Sequence, residues 1–200
     1  MLSPSPRRRL ILASTSRYRR ELLGRLHLPF EALAPEVDET SLAGETPAAM
    51  ASRLAWAKAR AVSVLHPQAV VIGSDQVCDL FGQALGKPGD HANASAQLRR
   101  LSGQTAVFQT AVAVVCQASG YAAQALAAVR VVFRDLADAE IERYLLLDTP
   151  YDCAGSAKSE ALGIALLASI ESDDPTALVG LPLIRTLRLL RQAGIDPLNA

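Results

Sequence analysis

The chain has 200 residues, of which 50% are hydrophobic and only 4% are aromatic, a balance typical of one globular domain and not of a disordered chain. Lysine plus arginine and aspartate plus glutamate each total 20, so no overall basic field would draw the protein onto nucleic acid or an anionic membrane. We therefore predict neither as a partner. Any affinity for phosphate must come from a local cluster of cations.

We expect no secretion signal in the N-terminal segment, because the apolar stretch Leu10–Ala13 is far too short and charges resume at Arg17. No later apolar run approaches the roughly 20 residues of a membrane helix. We therefore predict a cytoplasmic protein with a disordered tail at residues 1–7. The cysteines, Cys78, Cys116 and Cys153, are widely spaced, and we expect them to be reduced, buried and structural.

In the first half of the chain, short apolar runs alternate with helical periodicity. Thr46 is predicted to cap the longest helix, and Phe81 and Gly82 to turn a hairpin. The predicted elements are a strand over 8–13, a helix over 18–26, a strand over 30–34, a helix over 47–66, a strand over 69–72 and a hairpin over 77–85.

In the second half, two long runs of alternating residues joined around Gly120 predict a pair of strands. Asp138 is predicted to cap a helix that follows them. The predicted elements are a helix over 91–101, strands over 107–115 and 125–133, a helix over 138–147, a loop over 148–163 and a helix over 184–193. Together the two halves predict an α/β fold around a mixed sheet.

The segment Ser14-Thr15-Ser16-Arg17-Tyr18-Arg19-Arg20 concentrates hydroxyl and guanidinium groups where a strand ends and a helix begins. Helix-start amides, hydroxyls and an arginine fork all bind phosphate oxygens well. Ser16 taken alone is better explained as a helix N-cap. The cluster as a whole favours a phosphate site.

Asp75 follows the apolar strand over 69–72 and the flexible pair Gly73-Ser74. Ligands of open α/β sheets collect at the carboxyl ends of strands, where a carboxylate can accept a proton from water or hold a divalent metal. An aspartate that only stabilises a turn fits the local pattern equally well.

Lys87 lies between Gly86 and Pro88, which restrict where its ammonium group can point and suit it to a phosphate clamp. An exposed turn lysine is the ordinary alternative. Glu39 and Lys58 have equally ordinary interpretations, as part of a solvated loop and of a solvated helix face. The loop 153–160 either packs against a flat ligand or is a surface loop with a weak lysine–glutamate pair.

Read in order, seven segments resemble the Maf family of nucleotide pyrophosphatases: LILASTSRYRRELL, APEVDET, RLAWAKA, VIGSDQV, LGKP, YDCAGSAKSEALGI and LVGLPLI. The resemblance covers nearly the whole chain. It implies one domain over residues 1–200, with a central mixed, curved sheet flanked by helices and two lobes around an active-site cleft. It also implies a homodimer, and an enzyme that hydrolyses a nucleoside triphosphate to the monophosphate and diphosphate with a divalent metal, Mg²⁺ or Mn²⁺.

Residue by residue, the resemblance makes Asp75 the catalytic proton acceptor. It assigns phosphate and metal handling to Ser14, Arg19, Glu39, Lys58 and Lys87, with Asp75 and Glu39 as the metal ligands.

The variant GSDQV, followed later by CAGS-K-SE, is similar to the branch of the family that acts on 7-methyl-GTP. The resemblance then assigns recognition of the base to Tyr18, Gln76 and Glu160. Methylation at N7 gives guanine a positive charge. A cation that stacks on an aromatic ring is stabilised by a cation–π interaction of roughly 0.5 to 2 kcal/mol. Glu160 would accept hydrogen bonds from the N1 and N2 edge.

Three positions depart from the family pattern: Arg17 replaces the usual proline, Ala157 a common aromatic residue and Ala161 a usual glycine. Two alternatives therefore stay open at this stage. One is a pyrophosphatase for dTTP, UTP or another modified nucleotide. The other is a non-catalytic nucleotide-binding regulator of cell division.

Overall fold

The computed structural model describes residues 8–199, so the predicted tail at 1–7 lies outside the described residues. Within that range the chain forms five α-helices and one sheet of seven strands. In chain order the elements are β1 (Leu10–Ala13), α1 (Arg17–Gly24), β2 (Glu31–Leu33), α2 (Pro47–Leu65), β3 (Val70–Leu80), β4 (Gln83–Leu85), α3 (His91–Leu101), β5 (Thr105–Cys116), β6 (Tyr121–Phe133), α4 (Asp138–Asp148), β7 (Leu167–Glu171) and α5 (Leu183–Gln192).

The sheet is mixed, which confirms the predicted fold class. Its strand order is β2-β1-β3-β5-β6-β7, with β4 paired to β3. Strand β1 runs parallel to β2 and β3, whereas the remaining pairs are antiparallel. Strands β3, β5 and β6 are much longer than the others. These three strands therefore extend through both halves of the molecule, and the other elements pack against them.

Two apolar clusters lie on different parts of these long strands. One contains α1, α5 and the first part of β3, with Leu22, Ile72 and Leu190 fully buried. The other contains α3, α4 and the last part of β3, with Leu98 and Phe133 fully buried. The middle of β3 lies between the two clusters, and this is where the predicted two lobes meet.

Helix α2 lies unusually close to the sheet because small residues line both surfaces. Ala51, Ala55 and Ala59 recur every four residues and are completely buried against β5 and β3. A Cβ atom at Gly73 would lie 2.2 Å from the carbonyl oxygen of Ala55, so only glycine fits there. The sequence of both elements thus fixes the position of α2 over the middle of β3.

The predicted end of the third strand at Ile72 is wrong, because β3 continues without a break to Leu80. Residues 71–79 all pair with β5, so Asp75 lies in the middle of a strand and not in a turn after it. Its parallel neighbour β1 does end here, with Ala13 opposite Gly73. Asp75 therefore lies just beyond the carboxyl end of β1.

The other predicted elements agree with the structure to within a few residues, including the hairpin turn at Phe81 and Gly82 and the Thr46 cap of α2. Asp138 is the first residue of α4 and not its cap, which is Ala137. Strand β7 was not predicted. No helix within residues 8–199 combines the length and apolar character needed to cross a membrane.

Candidate active site

A cleft of about 710 Å³ opens between the two lobes, within the size range of small-molecule sites. All nine residues that the sequence analysis selected contribute to its lining. They are Ser14, Tyr18, Arg19, Glu39, Lys58, Asp75, Gln76, Lys87 and Glu160. The structure thus collects residues from six separate segments of the chain in one place.

The floor of the cleft is an ion-paired cluster of Lys58, Asp75 and Glu39. The Lys58 ammonium lies 2.6 Å from Oδ1 of Asp75 and 2.7 Å from Oε1 of Glu39. Lys58 and Asp75 are buried, whereas the side chain of Glu39 is 53% exposed. The interpretation of Lys58 as a residue of a solvated helix face is therefore wrong.

The position of this cluster follows from the packing of α2. Lys58 lies four residues after the buried Leu54, so its side chain starts from the sheet-facing side of the helix. The close approach of α2 over Gly73 then brings the ammonium group to Asp75. A buried carboxylate is costly unless it is paired, and Lys58 supplies the partner.

Opposing effects act on the Glu39 carboxyl group. Partial burial raises its pKa, but the hydrogen bond from Lys58 and the charges of Lys58, Lys87 and Arg19 outweigh burial. The net result is a lowered pKa, so Glu39 is held in its ionised form. Glu39 thus adds a second stable negative charge next to Asp75.

Arg19 is positioned by the segment before α5. Its Nε donates to the carbonyl oxygen of Gly180 at 2.9 Å, and Ser74 donates to the same oxygen at 3.0 Å. Gly180 has φ of 120°, a conformation that favours glycine. Among the described residues this is the one bond of the Arg19 side chain, so its two terminal nitrogens form a fork available to an anion.

Burial lowers the pKa of Arg19, and the charges of Asp75 and Glu39 act in the opposite direction. An arginine stays protonated throughout the ordinary pH range in proteins. Gly180 and Ser74, which orient this guanidinium group, were not selected from the sequence. The LVGLPLI segment of the family resemblance contained Gly180 and was the available signal.

The start of α1 forms one wall of the cleft. Ser16 caps the helix by accepting a hydrogen bond from the Arg19 amide at 3.4 Å, as its local pattern predicts. The Ser16 amide in turn donates to the Ser14 hydroxyl at 3.1 Å. On the opposite side, Lys87 is exposed and has no ion pair within the described residues. Both walls thus offer groups that bind phosphate.

Gln76 is held by its amide nitrogen. Nε2 donates to the carbonyl oxygens of Ala177 and Leu178 at 2.9 and 3.0 Å and contacts the Thr110 hydroxyl at 3.0 Å. Because two of these partners are carbonyl acceptors, the nitrogen and not the oxygen must face them. The Gln76 carbonyl oxygen therefore remains as the acceptor available to a ligand.

Tyr18 lies at the outer rim of the cleft, where Arg17 covers its ring. The Cζ atom of Arg17 is 4.7 Å from the ring centroid, and the guanidinium group also donates to the phenol oxygen at 2.8 Å. The Cys153 thiol lies 3.8 Å from the same oxygen. Cys153 is only partly buried and lines the cleft, so the expectation that it is buried is wrong.

Burial raises the pKa of the Cys153 thiol to about 12, which keeps it protonated. Cys78 and Cys116 are buried, as expected, and all three cysteines are free.

Glu160 is exposed at the rim and makes no ion pair or hydrogen bond within residues 8–199. Lys158 is not its partner, because the buried Lys158 ammonium donates instead to the carbonyl oxygens of Asp148 and Thr149 at the end of α4. The proposed lysine–glutamate surface pair is therefore absent from the described part of the chain. The loop instead presents a free carboxylate to the cleft.

A group of three or more histidine, cysteine or acidic side chains that would hold a metal ion does not occur in the described residues. The floor of the cleft offers two carboxylates, Glu39 and Asp75, which converge on one ammonium group. Mg²⁺ is commonly held by one or two carboxylates together with substrate phosphates and water. The donor set fits an ion that is completed by the substrate.

Residues 9–193 match the family model described as Maf-like protein. The chain belongs to the Maf family. A Maf relative from Albidiferax ferrireducens is 64% identical over all of both chains and is named 7-methyl-GTP pyrophosphatase. Relatives with the same name from Polaromonas sp. and Xanthomonas campestris are 67% and 63% identical over 97% and 94% of this chain, and over 88% and 97% of their own lengths.

Among solved structures, the Staphylococcus aureus Ham1 protein aligns with 64% of this Maf chain and 73% of its own, at 16% identity and a TM-score of 0.47.

Proposed function

We propose that the protein hydrolyses 7-methyl-GTP to 7-methyl-GMP and diphosphate. The observation that carries this proposal is the convergence of two carboxylates, the Arg19 fork and Lys87 in one cleft. A triphosphate needs several cations to offset its charge, and its hydrolysis needs a base near the attacked phosphorus. The names of the full-length relatives support 7-methyl-GTP as the substrate.

In the proposed reaction, Asp75 accepts a proton from a water molecule as the water oxygen bonds to the α-phosphorus. The bond from that phosphorus to the bridging oxygen of the β-phosphate breaks, and diphosphate leaves with the bond electrons. Oδ1 of Asp75 is occupied by Lys58, whereas Oδ2 makes no hydrogen bond within the described residues. Oδ2 is thus the atom suited to receive the proton.

Arg19 and Lys87 would bind the phosphate oxygens, and Ser14 adds a hydroxyl donor beside them. Glu39 and Asp75 are the residues that would hold a divalent cation, for which we propose Mg²⁺ or Mn²⁺. Such an ion, when bound, withdraws charge from phosphate oxygens and makes the phosphorus more electrophilic. Lys58 keeps the two carboxylates together by bonding to both.

Base choice rests on two acceptors that line the cleft. Guanine presents two adjacent donors, at N1 and N2, and the Gln76 carbonyl oxygen and the Glu160 carboxylate are both available acceptors. Uracil and thymine have a single ring N–H donor between two carbonyl acceptors. The pairing therefore favours a guanine base, and the negative charge of Glu160 favours its methylated, cationic form.

A substrate panel tests this proposal. The protein is incubated with Mg²⁺ or Mn²⁺ and 7-methyl-GTP, GTP, UTP or dTTP, in water labelled with a heavy oxygen isotope. We expect the highest kcat/KM for 7-methyl-GTP, with the label in the nucleoside monophosphate. Preference for a pyrimidine would overturn the substrate assignment, and label in the diphosphate would overturn the attack at the α-phosphorus. The expected homodimer and cytoplasmic location stay predictions.

A further inference from the structure

Arg17 is a charged residue of the cleft lining to which the proposed reaction assigns no role. It is exposed, lies directly before Tyr18 at the start of α1, and contributes to the same cleft wall. Its guanidinium group covers the Tyr18 ring at 4.7 Å from the centroid. The same group donates to the phenol oxygen at 2.8 Å, so two contacts hold it against the ring.

We propose that Arg17 is a specificity-determining residue, which occupies the Tyr18 ring in the free protein and opposes the binding of a positively charged base. This inference rests on the proposed function, since it concerns the base of the same substrate. Arg17 acts here as an internal competitor, because a guanidinium group and a methylated guanine are both flat cations that an aromatic face attracts.

The sign of the effect does not depend on which face of Tyr18 the base uses. A base on the covered face must first displace Arg17 and lose the contacts that Arg17 makes. A base on the opposite face keeps those contacts but has a positive charge directly behind the ring, which weakens the attraction for a second cation. In both arrangements Arg17 weakens binding of the charged base, and on the opposite face it also reduces the preference for that base over the neutral one.

The test measures binding of 7-methylguanosine and guanosine at mildly acidic pH by titration calorimetry. Neither compound has a phosphate, so a contact of Arg17 with phosphate cannot contribute. We expect Arg17→Ala to tighten binding of 7-methylguanosine about two- to fivefold, with a smaller gain for guanosine. Arg20→Ala is the matched control, since Arg20 is an exposed arginine of the same helix outside the cleft lining.

A double-mutant cycle distinguishes action through Tyr18 from a general charge effect. The gain from Arg17→Ala should disappear in the Tyr18→Leu background. Unchanged or weaker binding in Arg17→Ala, an equal gain in Arg20→Ala, or a gain that persists without Tyr18 would each overturn the inference.

A ligand-free measurement separates this inference from the proposed function. In the NMR spectrum of the free protein, we expect ring-current shifts of the Arg17 side-chain protons that are lost in Tyr18→Leu. Absence of those shifts would overturn the stacking itself, whatever the substrate proves to be. Failure to cleave 7-methyl-GTP would instead overturn the substrate assignment and leave the stacking result intact.

Discussion

The floor and the rim of the cleft are built in different ways. Two of the three floor residues, Lys58 and Asp75, are buried and come from the middle of a long helix and a long strand. The rim consists of Tyr18, Glu160 and their neighbours, which are partly or fully exposed and come from a helix start and a loop. The floor is therefore rigid and costly to change, whereas the rim can vary without disturbing the fold.

This contrast fits the proposal that the floor carries out the reaction and the rim recognises the base. A proton acceptor must be held close to one atom, which a packed strand and helix achieve well. Recognition of a base needs a few polar groups on the surface, and loops supply them readily. Changes on the floor should consequently affect all nucleotides alike, and changes on the rim should alter the preference among them.

The largest effect is expected for Asp75→Asn, which removes the proposed proton acceptor and keeps the side-chain shape. We expect kcat to fall by roughly 10² to 10⁴, because general-base catalysis contributes about that much. Binding of 7-methyl-GTP, measured by calorimetry, should be largely retained. Asp79→Asn is the matched control, since Asp79 lies on the same strand but bonds to the Gly82 amide of the hairpin turn. Unchanged diphosphate release in Asp75→Asn would refute the assignment.

The next largest effect concerns stability. Lys58→Met leaves the buried Asp75 carboxylate without its partner, and removal of one member of a buried pair costs about 3 kcal/mol or more. Urea unfolding at neutral pH would measure the change. The double variant Lys58→Met with Asp75→Asn should recover part of the loss, because no unpaired charge remains. No recovery would mean that the pair does not determine stability at the floor.

A moderate effect on base preference is expected for Glu160→Gln. The amide keeps one acceptor oxygen but loses the negative charge, so we expect about a tenfold loss in kcat/KM for 7-methyl-GTP. The loss for GTP should be smaller, because its base carries no positive charge. Steady-state kinetics with both substrates measure the ratio. Equal losses for the two nucleotides would place Glu160 outside base recognition.

The smallest effect is a pH dependence of stability that involves Glu39. Its pKa is lowered in the folded protein, so its contribution is present above the unfolded pKa of about 4.3 and is lost as pH falls through the folded pKa. Because Glu39 is half exposed, we expect it to contribute less than about 1 kcal/mol to the free energy of unfolding. Urea unfolding of Glu39→Gln should differ from wild type at neutral pH and converge with it in acid. Glu36→Gln, in the same loop, should match wild type throughout.

Hydrophobic periodicity predicted most elements of the fold, but it misplaced the central one. Gly73, Ser74 and Asp75 interrupt an apolar run and therefore resemble a turn. They remain in the strand because their polar groups find distant partners: Ser74 bonds to the Ala111 and Gly180 carbonyl oxygens, and Asp75 bonds to Lys58. Such long-range contacts leave no local pattern. Strand β7 was missed because it is short, mostly exposed and at the sheet edge.

The candidate site was predicted mainly by the family resemblance and only in part by residue chemistry. The cluster around Ser14 and Arg19 is visible as a local concentration of donors. By contrast, Lys58 looked like an ordinary solvated residue, because its burial depends on the close packing of α2 over Gly73. The contact between Arg17 and Tyr18 also required the structure, since two adjacent residues on a helix do not ordinarily face each other.

The most direct test of the division between floor and rim compares kcat/KM for 7-methyl-GTP and GTP in three proteins: wild type, Asp75→Asn and Glu160→Gln. We predict that Asp75→Asn lowers both values by the same factor, so that their ratio stays at the wild-type value. We predict that Glu160→Gln lowers the ratio. A changed ratio in Asp75→Asn, together with an unchanged ratio in Glu160→Gln, would contradict the account.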